Sequence, residues 1–253
     1  MKKLIATLCV VFAVGSVSAY TPNKIIIPDI EGYKTLKCDF HMHTIFSDGQ
    51  VWPATRVKEA VWEGMDVIAI TEHIDTRHQK MVNKGYFTKE KNDRNRSYEI
   101  AKKAAKGTDV IVIHGGELTR EMAPGHWNCI FVKDNEKIIA EAEKFNDDHV
   151  KAAAAGLKEA HAQGAFTFWN HPQWNKHAPN VTKWYPEHTD LLKAGYMNGI
   201  EVYNGEYCPE AHAWALKYNL TMFANSDSHE PLFYVYDYMH GEHRPATLVF
   251  VKE

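Results

Sequence analysis

Short apolar runs alternate with segments of helical period along most of the chain. The runs Leu36–Phe40, Val67–Ile70, Val110–Ile113, Cys129–Val132, Ala165–Trp169, Ile200–Tyr203 and Thr221–Ala224 read as strands. Several are continuously apolar, as parallel strands buried on both faces are. Between them, Pro53 suits a first helical position, Val57, Ala60 and Val61 form a stripe, and Gly64 can end the helix. A second helix is predicted over Asp148–Gln163, with Val150, Ala153, Ala154 and Leu157 on one face and Gly164 as its stop. A third starts at Pro209, buries Ala211, Trp214, Ala215 and Tyr218, and ends near Asn219. The stretch Glu90–Lys106 also reads as helical, with a very polar start. This alternation predicts an α/β fold, either a parallel barrel or an open doubly wound sheet. A last apolar run, Ala246–Val251, has no helix after it, which fits a shortened chain or a final strand placed elsewhere in the fold.

The N-terminus breaks the pattern. Lys2 and Lys3 precede the apolar run Leu4–Val14, and Val17-Ser18-Ala19 before Tyr20 has the small-x-small form of a cleavage site. The run is too short to anchor in a bilayer, so residues 1–19 are expected to be a secretory signal peptide. Residues 20–253 are then one mature domain, periplasmic or secreted and without a membrane anchor. The three cysteines left, Cys38, Cys129 and Cys208, suggest no disulfide framework, and the first two sit in strand-like runs as small buried hydrophobes.

Composition changes the picture in one respect. With 45% hydrophobic and 24% charged residues and a net charge of -3, the chain is ordinary and gives no electrostatic case for general nucleic-acid binding. Fifteen histidines in 253 residues, however, exceed what packing needs and point to metal ligation. Many polar residues fall at the ends of predicted strands. His41 and His43 close the first, two apart and therefore on one side of an extended chain. Asp48 follows in Ser47-Asp48-Gly49. Thr71-Glu72-His73 closes the second strand and Glu117 the third; His126 opens the fourth. Asn170-His171-Pro172 closes the fifth and Asp227-Ser228-His229 the seventh. In a parallel barrel such strand ends share one face, where active sites are assembled. Imidazole and carboxylate without thiolate suit Zn²⁺, Mn²⁺ or Fe²⁺. Glu72 reads as a group that orients its neighbour His73 rather than as a ligand. No Gly-x-Gly-x-x-Gly or Walker loop follows any strand, which weakens a nucleotide-binding reading.

Taken in order, His41-x-His43, Ser47-Asp48-Gly49, Thr71-Glu72-His73, Glu117, His126, Asn170-His171-Pro172 and Asp227-Ser228-His229 resemble the polymerase-and-histidinol-phosphatase (PHP) family. The resemblance runs from about Leu36 to His229. One departure is Glu72, where the family usually has Asp. The resemblance implies a distorted, seven-stranded, TIM-like (βα) barrel carrying up to three divalent metals. One metal would use His41, His43, Glu117 and Asp227. A second would share Glu117 and add His126 and His171, and a third would take Asp48, His73 and His229. It further implies a phosphoesterase acting on small phosphate mono- or diesters, in which a metal-bridging hydroxide attacks phosphorus in line. Asp227 would orient or deprotonate the water, and Arg120, three residues after Glu117, is a candidate phosphate clamp. Arg94 and Arg96 read as a solvated helix face. His114 is a candidate neighbour of the ligands, and His177 and His188 lie in a polar loop within possible reach of substrate. His149, His161 and His212 read as helix-surface or packing residues, and no pattern promotes His78, His240 or His243. Competing readings are an amidohydrolase-type enzyme cleaving carbon–nitrogen bonds, whose barrels also begin with His-x-His, and a non-catalytic metal-binding protein.

Overall fold

The computed structural model describes residues 24–75, 93–145, 147–174 and 182–252. The signal-like segment, His78, His177 and the start of the 90–106 stretch lie outside these residues. Among the described residues nine strands form one mixed sheet: β1 (Tyr33–Asp39), β2 (Val67–Ile70), β3 (Ile111–Leu118), β4 (Trp127–Ile130), β5 (Phe166–Trp169), β6 (Gly199–Asn204), β7 (Glu206–Tyr207), β8 (Thr221–Asn225) and β9 (Thr247–Lys252). The order is β7-β6-β5-β4-β3-β2-β1-β9, with β8 paired to β6. The seven expected strands are all present, and the 246–251 run joins them as β9, antiparallel to β1. Ala224 N–H donates to Thr247 Oγ1 at 2.9 Å, Phe40 N–H to Asn225 Oδ1 at 3.0 Å and Asp227 N–H to the His41 carbonyl at 2.9 Å. These contacts bring β8 against β9 and β1, so eight of the strands make a nearly closed TIM-like barrel.

The barrel is not parallel throughout, and this corrects one step of the sequence reading. β4 runs antiparallel to both β3 and β5. A parallel neighbour requires a crossover of a dozen or more residues, whereas 119–126 is a short connection that turns the chain straight back. The start of β4 therefore lies at the same end as the termini of β3 and β5. That places His126 with the other candidate ligands even though it opens its strand.

Helices cover the outside. α1 (Pro53–Glu63) ends at Gly64, whose φ of +76° is the left-handed conformation that glycine adopts without a Cβ penalty. α2 is Arg96–Ala104, and α3 (Asn135–Ala142) is capped by Asp134 accepting from Glu136 N–H. α4 is His149–Ala162, α5 Pro186–Lys193, α6 Pro209–Tyr218 and α7 Leu232–Val235. Two predicted stripes need correction. Val61 and Val150 are exposed; α1 instead buries Arg56 and Glu63 beside Val57 and Ala60, while α4 buries Ala152, Ala153, Gly156, Leu157 and Ala160. The sequence pattern predicts no counterpart of α3, α5 or the short α7.

Three apolar clusters hold this arrangement. Phe40, Phe168 and Phe223 fill the barrel with Cys38, Val67, Ala69, Ile113 and Ile130; the rings of Phe168 and Phe223 stack at 4.1 Å. α1 and α2 pack on β2 through Val57, Ala60 and Ala101. The largest cluster, including Leu118, Trp127, Ile138, Leu157, Trp169 and Ala211, joins α3, α4 and α6 to the β3–β6 side. Cys38, Cys129 and Cys208 are buried and unbridged; the first two pack as small hydrophobes, while Cys208 caps α6 by accepting from Ala211 N–H. No helix among the described residues is long and apolar enough to cross a membrane.

Candidate metal centre

Backbone pairing beyond the regular strands fixes the ends that carry the polar residues. Asp227 N–H donates to His41 O and His43 N–H to Ser228 O, both at 2.9 Å, tying the end of β1 to the segment after β8. Glu117 N–H donates to Glu72 O at 2.8 Å and Ile74 N–H to Glu117 O at 3.0 Å, setting His73 beside Glu117. Arg56, buried on α1, donates to the carbonyls of His43, Ser228 and Glu230 at 2.8–3.0 Å and clamps both segments from outside. Gly49 permits the tight turn after Asp48, because a Cβ there would lie 2.7 Å from the His43 carbonyl carbon and from Thr44 N. His171 and Asp227 have φ of +28° and +50°, a region that non-glycine residues rarely adopt and that is concentrated at functional sites.

The nine candidate ligands converge in three overlapping groups: His41, His43, Glu117 and Asp227; Glu117, His126 and His171; and His43, Asp48, His73 and His229. His41 Nε2 lies 3.1 Å from Asp227 Oδ1 and 3.3 Å from Glu117 Oε2; for His43 Nε2 the distances are 3.0 and 3.2 Å. Glu117 Oε1 is 2.7 Å from His126 Nδ1, and its Oε2 is 3.1 Å from His73 Nδ1. Asp48 Oδ1 is 3.2 Å from Nε2 of both His73 and His229. His171 stands further off, its Nε2 3.7 Å from Asp227 Oδ2.

These separations allow a test of whether the residues fit cations. A tetrahedral ion with ligand bonds of about 2.1 Å holds its ligand atoms roughly 3.4 Å apart, close to the 3.0–3.3 Å spacings of the first group. His43 Nε2, Glu117 Oε1 and Asp227 Oδ1 are buried yet make no well-aligned hydrogen bond, so the atoms face a common centre rather than one another. The donor set is imidazole and carboxylate, which suits borderline and hard divalent ions. The residues fit.

The charges of the cluster shift one another strongly. Burial opposes charge on His41 and His43, but the surrounding carboxylates outweigh it. Asp227 and Glu201 hold His41 well above its ordinary value, and Asp227 and Glu117 lift His43 to about 9. Burial would raise Glu117 and Asp227, but His73 and His126 around the first and His41 and His43 around the second hold both well below the usual carboxylate range. Burial dominates at His73, pushed down to about 3, and at His171, pushed down to about 4.

Other candidates fall into place around the cluster. Glu72 accepts from Thr44 N–H at 3.0 Å, from Ser47 Oγ at 2.6 Å and from the Thr44 hydroxyl; it orders the loop leading to Asp48 rather than orienting His73. His73 Nδ1 instead meets Thr119 Oγ1 at 2.5 Å. Arg120 is only 7% exposed, so it is not a surface arginine, and its Nε and Nη2 have no hydrogen-bond partner among the described residues. Arg94 donates to Ile74 O and Glu136, and exposed Arg96 pairs with Glu99. His114 is not a neighbour of the ligands: three residues from Glu117 on a strand, it faces the other way and stacks on Tyr98 at 4.3 Å. His188 is not a loop residue but a buried part of α5, stacked on Trp169 at 3.8 Å. His149 and His161 lie at the surface of α4, and His212 on α6 meets the Tyr207 hydroxyl.

One residue escaped the sequence reading. Glu201 on β6 is fully buried, 2.9 Å from His41 Nδ1, and accepts from His171 N–H at 2.8 Å. Its signal was a lone carboxylate inside the apolar strand Gly199–Asn204.

No family model matches the chain. It is similar, at 47% identity and a TM-score of 0.81 over 93% of its length, to the crystal structure of a two-domain protein from Bacteroides vulgatus containing a predicted PHP-like metal-dependent phosphoesterase. The chain spans 64% of that protein's length. A putative metal-dependent phosphoesterase from Bifidobacterium adolescentis matches at 16% identity and a TM-score of 0.54, covering 76% of this chain and 87% of its own. An amidohydrolase from Chromobacterium violaceum matches at 14% and 0.50, covering 85% and 91%. These last two likenesses show the fold alone. An uncharacterized protein of Methanocaldococcus jannaschii is 38% identical over 85 residues, 33% of this chain and 34% of its own.

Proposed function

This chain resembles the PHP-like phosphoesterases in sequence and fold, and from that premise we propose that it is a metal-dependent phosphoesterase hydrolysing small phosphate mono- or diesters. The observation that carries the reading is Glu117. It is one fully buried carboxylate whose Oε1 faces His126 at 2.7 Å and whose Oε2 faces His41, His43 and His73 at 3.1–3.3 Å. His41, His43, Glu117 and Asp227 would hold one cation, Glu117, His126 and His171 a second, and Asp48, His73 and His229 a third, with His43 bordering the first and third. Bound Zn²⁺, Mn²⁺ or Fe²⁺ supplies Lewis acidity toward phosphoryl oxygens and makes a nucleophile available from water near neutral pH.

The protein's own groups do the rest. The Asp227 side chain keeps 22% exposure although its Oδ1 is buried, and from this position it can orient the attacking water or accept its proton. Arg120 is a buried cation, two of whose donors have no partner among the described residues. Such a group favours an anion, and its planar fork matches a phosphoryl group bidentately. The basic, apolar and small-residue succession of residues 1–19 supports export to the periplasm or beyond.

Elemental analysis of the purified protein, with a screen of chromogenic phosphomonoesters and phosphodiesters beside an amide panel, tests this reading. The expected result is tightly bound divalent metal with phosphate-ester turnover lost on chelation. Cleavage of amides alone, or bound metal with no hydrolysis of any ester, would overturn it. Mass spectrometry of the N-terminus from fractionated cells tests export.

A further inference from the structure

We propose that Glu201 is a positioning residue of this centre: it holds the His41 ring with a proton on Nδ1, and so turns the Nε2 lone pair toward the cation shared with His43, Glu117 and Asp227. The proposal rests on the metal-centre reading above and adds to it the residue that aligns its ligands.

Glu201 has no contact with solvent, and a buried carboxylate is costly unless its oxygens are satisfied. All four of its partners can donate. Oε1 faces His41 Nδ1 and accepts from Asn225 Nδ2, both at 2.9 Å, while Oε2 accepts from His171 N–H and Asn204 Nδ2, both at 2.8 Å. The two amides fix the carboxylate, leaving it unable to rotate away from the other two. On the far side of the same ring, His41 Nε2 faces Glu117 and Asp227 at 3.3 and 3.1 Å. A neutral imidazole carries one proton, and an acceptor at Nδ1 keeps it there, which frees Nε2 to ligate. The second oxygen holds the backbone of His171 at its unfavourable φ of +28°, so one carboxylate from β6 aligns candidate ligands from β1 and β5.

The substitution Glu201→Gln isolates this role, since it preserves shape but offers one oxygen to four donors. If the amide NH₂ faces His41, the ring must accept at Nδ1 and carry its proton on Nε2, against ligation. If it faces His171, the strained backbone N–H loses its partner. Either way cation binding weakens, and loss of such an outer partner typically costs about 10–100-fold in metal affinity. The experiment is calorimetric titration of chelated wild type and E201Q with Mn²⁺ and with Zn²⁺, alongside the melting temperature of each chelated protein. Weaker binding by that factor, with the chelated proteins melting close together, supports the proposal. Identical isotherms overturn it and leave the metal centre standing. If wild type binds neither ion, the metal-centre reading fails and the proposal fails with it. Should E201Q not fold, ¹⁵N-histidine NMR of zinc-loaded wild type decides, because ligation leaves the His41 ring one proton. That proton on Nδ1, with Nε2 ligating, is expected, and a ring ligating through Nδ1 refutes the role.

Discussion

Replacing His188 with Gln should make the protein less sensitive to mild acid, by an amount the structure allows to be worked out. His188 Nδ1 accepts from Tyr185 N–H at 3.0 Å, and Nε2 lies 2.9 Å from the Pro124 carbonyl, to which it must donate. Those two bonds specify one neutral tautomer, and burial pushes the ring down from 6.5 to about 4. Between these values the unfolded chain binds a proton that the folded protein refuses, so stability is full above pH 6.5 and falls as the pH drops toward 4. Near pH 5 the unfolded ring is favoured about 30-fold by this term, a loss of about 2 kcal/mol. Gln cannot titrate but can accept from Tyr185 N–H, so at neutral pH it should cost only about 1–2 kcal/mol for the weakened bond to Pro124 and the lost stacking on Trp169. The gap between wild type and variant should therefore close by about 2 kcal/mol between pH 7 and pH 5. Urea unfolding of both proteins in chelator at the two pH values measures it, because every other titrating histidine cancels in the difference. A gap constant to within about 0.5 kcal/mol, the ordinary scatter of additivity, would show that His188 is not held neutral.

Three other predictions concern the site and its supports. Chelation should lower the melting temperature: each cation position filled at a hundred times its dissociation constant adds about 2.7 kcal/mol, or roughly 5–10 °C for a chain of this size, and scanning calorimetry with and without EDTA reads it directly. Arg120→Ala should cut kcat/KM for a phosphate ester by about 10–100-fold, the worth of a charged hydrogen-bonded pair, with little loss of stability because no partner in the described protein is left behind; unchanged KM and kcat would remove Arg120 from the site. Gly49→Ala forces a Cβ to 2.7 Å from the backbone of His43 and Thr44 and should cost about 1–3 kcal/mol in denaturant unfolding, with no cost if the turn can open freely.

The strands and the convergence of ligands were legible because both are periodic or terminal features. Val67–Ile70 is an uninterrupted apolar run and forms β2 over those same residues. His41 and His43, two apart at the end of such a run, face one centre as alternation requires. What was not legible depends on contacts distant along the chain. The direction of β4 follows from its pairing with β3 and β5, and nothing within Trp127–Ile130 marks it. Arg56 and Glu63 face inward on α1 because carbonyls after β8 and the side chains of Tyr238 and Arg244 await them, which reverses the reading that favoured Val61. Glu201 was hidden for the same reason, since its four partners come from β1, β5, β6 and β8 segments.

The reversed strand also divides the labour at the mouth of the barrel. Because β3 and β4 are joined without a helix, the stretch 119–126 is anchored at both ends by the Leu118–Trp127 rung and supplies Thr119, Arg120 and His126 from one compact hairpin. Changes in its middle can therefore reshape the rim beside the candidate ligands while the ladder beneath keeps Glu117 in place. Variation in that stretch comes at small cost to the barrel that bears it.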